Sequence, residues 1–181
     1  GSLALALRHD GQLQRALECY EQAVLLSPSE PGLLVNRARA LRDGGKLAAA
    51  VSSFRQAVAC EPGAANVWSM LSNALREAGE LDAALDAARR ALDLEPRSFE
   101  AHLNEGAALH RLGHFESASA SYIAVAASDA AMRSAALANL SAGLSTPAFR
   151  RALEGSPTLA LALRLARIDG TPPTLGAGDA V

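Results

Sequence analysis

Arg8, Arg42, Arg76 and His110 stand at a constant spacing of 34 residues. Guanidinium groups hold carboxylates through paired, charge-assisted hydrogen bonds, so a repeated basic column points to recognition of an acidic segment or a chain carboxylate. A second reading stands beside it. Each of these residues falls where a helix should end, and a cation there offsets the helix dipole by about 0.3–1 kcal/mol. Asp43 and Glu77, next to Arg42 and Arg76, are placed to neutralise them. Arg39 and Arg111 would widen the column. Asn36 and Asn104 form another, interrupted by Met70, with Asn73 one turn further on. An amide donates and accepts at once, which suits an extended main chain, although asparagine is also tolerated on any solvated helix face.

Covalent and metal chemistry find less support. His110 and His114 flank Gly113, with Glu116 nearby. The glycine should break the helix between the rings, and a stable zinc site needs three or four ligands, so no metal or cofactor is expected. No Ser/His/Asp or Cys/His set has a common site. Asp82 and Asp86 precede Arg89 and Arg90 at spacings that support a solvated helix.

The elements that must position these residues follow one period. Gly11, Gly45, Gly79 and Gly113 recur in step with Ala16, Ala50, Ala84 and Ala118, and with Pro28, Pro62 and Pro96. A period of this length marks stacked copies of one supersecondary unit, none able to bury its apolar face alone. In the copy over 31–64, Pro31 suits a first helical turn. Leu34, Ala38 and Leu41 recur on one face. Asp43-Gly44-Gly45 stops that helix. A second runs from about Leu47, burying Ala50, Phe54, Ala57 and Val58, and Glu61-Pro62 ends it. The copies over 65–98 and 99–130 repeat the scheme with Trp68, Leu71, Leu75, Ala84, Ala88 and Ala91, then Leu109, Phe115, Ala118, Tyr122 and Val125; Ala130 replaces the proline. A partial copy, 1–30, comes first.

Half of the 181 residues are apolar but only 4% are aromatic, and alanine dominates. Alanine is the best helix former and permits close helix approach, which favours an all-helical chain. A net charge of −2 gives no basic field for nucleic acid. The apolar runs are too short to span a bilayer. The stretch after Gly1-Ser2 lacks a signal peptide's basic start and cleavage site, so a cytoplasmic location is expected. Cys19 and Cys60 make no disulfide framework and read as small buried thiols.

Trp68, Leu71 and Leu75, then Ala84, Ala91 and Pro96, resemble the tetratricopeptide repeat, with Ser72 for the family's Gly, Leu75 for its Tyr and Ala88 for its second-helix aromatic. Other copies fill gaps: Gly106 is present in the fourth, and Tyr20, Phe54 and Tyr122 supply the aromatic. The resemblance spans about Leu3 to Ala130. It implies an α-solenoid, a right-handed superhelix of antiparallel helix pairs whose first helices line a concave groove. In such proteins that groove binds peptides or protein partners. The basic column and the asparagines would then face it, the latter resembling the ladder of the O-linked N-acetylglucosamine transferases. The chaperone-tail clamp of other family members is not expected, since Val35 and Met70 replace its polar groups.

Beyond 130 the pattern decays. Ala130 to about Ser141 reads as one more first helix, with Ala136, Leu137 and Leu140 apolar. Thr146-Pro147 and Ser156-Pro157 each read as a cap and first turn, opening helices that end near Leu153 and Ile168. Segment 131–169 is thus expected to cap the array, and 170–181 to be a tail or linker. Its Gly176-Ala177-Gly178-Asp179 resembles an anion-hole segment of ribokinase-like sugar kinases, but no helix pattern follows it.

The sequence therefore predicts a non-catalytic protein-interaction scaffold whose groove residues are Asn36, Arg39, Arg42, Asn73, Arg76, Asn104, His110 and Arg111. The alternative is the substrate-recruiting arm of a larger transferase or hydroxylase. Self-association is a further expectation if Leu3, Leu7 and Leu13 lie exposed.

Overall fold

The computed structural model describes residues 12–128 and 130–168, and every regular element among them is an α-helix. These are α1 (Leu13–Leu26), α2 (Pro31–Asp43), α3 (Leu47–Cys60), α4 (Ala65–Ala78), α5 (Leu81–Leu94), α6 (Phe99–Leu112), α7 (Phe115–Ser128), α8 (Ala130–Leu144), α9 (Pro147–Leu153) and α10 (Pro157–Ile168). Local chemistry sets the ends. Pro31, Pro147 and Pro157 each open a helix, where a missing N–H leaves nothing unpaired. Thr146 Oγ1 accepts from Phe149 N, and Ser156 Oγ from Thr158 N. Gly45, Gly79 and Gly113 take φ of 72°, 86° and 85°, the left-handed turn that reverses the chain between paired helices. Helix α8 runs to Leu144, beyond the expected stop near Ser141.

The described residues form two compact units that divide between Pro96 and Arg97. In the first, each of α1 to α5 packs on the next in chain order. Its core is Leu34, Ala38, Leu41, Ala50, Phe54, Ala57, Leu71, Leu75, Ala84, Ala88 and Ala91, all buried. In the second, α6, α7 and α8 pack in order, while α9 and α10 return against both α7 and α8. Phe149 and Leu153 are fully buried in that closing layer, as are Ala136 and Leu140 of α8.

One volume exchange accounts for two of the departures from the family pattern, Ser72 and Ala88. A Cβ on Gly106 would lie 2.6 Å from Tyr122 Cε1, so the ring occupies the space that the glycine vacates. The corresponding pair in the first unit is Ser72 and Ala88, both buried. There the small alanine leaves room for a serine, whose Oγ donates to the Ala84 carbonyl at 2.7 Å. Interiors are close-packed, so the size of one side chain limits the other; the copy over 31–64 takes an intermediate solution, Ala38 with Phe54, both buried.

Two sequence expectations need correction. Cys60 is exposed and Cys19 only half-buried, because Cys60 ends α3 beyond its buried stripe and Cys19 sits at the margin of the Ala16–Tyr20 core. Leu13 is likewise half-buried against that core; Leu3, Leu7 and the tail after 168 lie outside the described residues.

Candidate functional site

Asn36, Arg39 and Arg42 follow one another at three-residue steps along α2, in the strip between buried Ala38 on one side and buried Ala40 on the other. Asn73 and Arg76 occupy the two later steps of the same register on α4, after Met70. All are half-buried: ordered enough to hold a geometry, open enough to meet a ligand. Arg76 Nη2 donates to Asn73 Oδ1 at 2.6 Å, a bond in which the asparagine's amide hydrogens take no part. In the first unit this face therefore carries three guanidiniums and two amides.

A pocket of about 640 Å³ opens at the other end of the same face. Gly32, Val35 and Asn36 of α2 line it, with Asn66 from the start of α4 and Leu94 and Glu95 from the end of α5. Glu61 also lines it. The face is thus polarised, with carboxylates beside the starts of the first helices and guanidiniums beside their ends. The sequence columns located the basic end. They missed the pocket, whose walls come from three separated segments; the small Gly32 and Gly63 were its one sequence sign.

The second unit repeats the register with different chemistry. Asn104 is half-buried on α6 and Arg111 is exposed. His110 matches Arg42 and Arg76 in position, but its ring packs on Phe115 at 5.6 Å, edge to face, and on Phe149 at 5.0 Å. Burial lowers its pKa from 6.5, so near neutral pH it presents a ring and not a charge. The expected cationic column consequently ends with Arg76. His114 is exposed and follows the left-handed Gly113, as the sequence foretold, and no metal-binding cluster occurs among the described residues. No helix among them is long and apolar enough to cross a membrane.

Antiparallel helix pairs in a 34-residue register, with polar first-helix faces, define a helical-repeat protein of the α-solenoid class. The tetratricopeptide repeat model matches residues 2–65 and a second TPR repeat model matches 72–113, together more than half of the chain. The chain belongs to the tetratricopeptide repeat family. Similar solved structures include MamA, at TM-score 0.73 and 19% identity over 91% of this chain and 90% of that one. YrrB, "a TPR protein with an unusual peptide-binding site", aligns at 0.72 and 23% over 93% and 82%. The first TPR of Spaghetti (RPAP3), bound to the HSP90 peptide SRMEEVD, aligns at 0.58 and 28% over 61% and 88%. No curated protein sequence matches the chain.

Proposed function

We propose that the chain is a non-catalytic interaction module that binds an acidic, extended segment of another protein along its first-helix face. Arg39, Arg42 and Arg76 pair with the segment's carboxylates, and Asn36 and Asn73 engage its main chain. The observation that carries this reading is the Arg76–Asn73 hydrogen bond at 2.6 Å, which orders a cation and an amide donor side by side on a half-open face. Charge-assisted bonds from such a pair are stronger than neutral ones. The RPAP3 repeat, whose bound peptide is SRMEEVD, supports an acidic ligand for this fold. In the second unit, Asn104 and Arg111 occupy the matching register on α6, and His110 contributes a packed ring.

Polarity of the face also sets direction. Glu61 and Glu95, which cap the ends of α3 and α5 on the pocket wall, repel carboxylates, so the acidic end of the segment lies toward Arg42 and Arg76, and its neutral or basic end toward the pocket. The experiment is fluorescence anisotropy with labelled seven-residue peptides. One series is rich in Glu and Asp, the other carries Gln and Asn instead. The acidic series should bind, weaken with salt, and lose at least tenfold in affinity to Arg42→Glu with Arg76→Glu while helicity is unchanged. Equal binding of the neutral series would remove the basic face from the mechanism.

A further inference from the structure

A second concavity lies away from the first-helix face, and one substitution pattern creates it. In the α2–α3 pair, Arg37 Nε donates to Ser53 Oγ at 3.0 Å and its Nη2 to Gln56 Oε1 at 3.1 Å. The α6–α7 pair places Glu105 and Ser121 at the same positions, and Ser121 Oγ donates to the Glu105 carboxylate at 3.1 Å. Between these copies the register holds Leu71, Ala87 and Arg90. Leucine and alanine thus stand where the other copies pair Arg37 with Ser53 and Glu105 with Ser121, while Arg90 takes the place of Gln56. The seam stays open as a hollow of about 660 Å³, walled by Val58 and Ala59 of α3, Trp68 and Leu71 of α4, and Ala87 and Arg90 of α5. Trp68 Nε1 donates to the Pro62 carbonyl at 2.9 Å, which fixes the indole as a rigid wall.

The same unit carries a shape that would fill it. Leu25 and Leu26, at the end of α1, are 75% and 86% exposed. Leu25 shares its register with Ala59: leucine makes a knob in one copy, and alanine deepens the hollow in the next. Charge agrees as well. Glu21, one turn before Leu25, and Glu18, two turns before it, are both exposed on that side of α1. Arg55 and Arg90 stand at the hollow, against one carboxylate, Asp86. Arg90 reaches Asp93 only at 3.9 Å, and Arg55 meets Glu80 at 2.8 Å on a half-exposed surface.

We propose that the occupant of the hollow is a second copy of this chain, docking Leu25 and Leu26 into the Trp68–Leu71–Ala87 surface with Glu21 facing Arg90. Knob and hollow are different surfaces, and the contact is taken as heterologous, one knob to one hollow, so that it propagates head to tail. A contact of a few side chains buries far less than a standard stable interface, so association is weak and concentration-dependent. It leaves the first-helix face open and does not depend on peptide binding there.

Sedimentation equilibrium up to about 1 mM tests this. The average mass should rise with concentration. Leu25→Glu with Leu26→Glu, and separately Ala59→Glu, should each weaken association at least tenfold. All three positions are exposed, so circular dichroism should be unchanged. Mixing the two variants pairs an intact hollow with an intact knob, and should yield dimers and nothing larger. A wild-type chain that stays monomeric overturns the proposal. So does association that survives either variant, or a mixture that stays monomeric.

Discussion

Arg76 and His110 occupy one register position in adjacent copies, yet they do different work. Arg76 is half-buried on the first-helix face, where its Nη2 donates to Asn73 Oδ1. His110 lies where α9 folds back, and Phe149 closes over its ring. A closing layer turns a would-be charged binding position into a half-buried, packed ring. The lesson is that a register column assigns equivalent backbone sites, whereas neighbouring elements decide whether a side chain there binds or packs.

That contrast can be broken first at Phe149. Phe149→Ala removes a fully buried ring and should cost about 3–5 kcal/mol of stability, read by denaturant unfolding. Arg76→Ala, on the first-helix face, should cost less than about 1 kcal/mol. Comparable losses from the two would mean that both positions are structural.

A smaller effect sharpens the comparison between the two core pairs. Gly106→Ser pushes a Cβ against the Tyr122 ring and should destabilise by about 1–3 kcal/mol. In a Tyr122→Ala background the same serine should be close to neutral, since Ser72 and Ala88 already coexist in the first unit. A double-mutant cycle measures the difference; additive energies would deny the exchange of volume.

The smallest effect is the pH dependence that separates His110 from an arginine. Its folded pKa lies below 6.5 because burial disfavours the charged ring, so the unfolded chain binds the proton more readily. Its contribution to stability is complete above the unfolded value, declines as pH falls through 6.5, and levels off below the folded pKa. Thermal unfolding between about pH 5 and pH 8 should show this decline, and His110→Gln should flatten it. Phe149→Ala should raise the His110 pKa toward 6.5 by rehydrating the ring, an NMR titration being the readout.

Much of the fold was legible because its signals are local. Proline at a first turn, glycine in a left-handed turn and the caps at Thr146 and Ser156 act within four residues, and each acted as read. Alanine columns also translated directly into burial at Ala16, Ala50, Ala84 and Ala118. Less of the site was legible. The basic column was visible, but the 640 Å³ pocket joins residues from α2, the α3–α4 turn and the end of α5, and no single window contains it. Cys60 misled for a related reason: an apolar pattern does not say at which residue the buried stripe runs out.

By itself, then, the chain's order of residues determined helix count per copy, turn positions and the small-residue stripe, since hydrogen bonding and steric limits on φ act between near neighbours. Tertiary structure alone decided that Arg76 bonds to Asn73 while the equally half-buried His110 packs on Phe149, and that the seam beside Leu71 and Ala87 remains a hollow. Those outcomes depend on what packs across from each residue, and such partners lie far away along the chain.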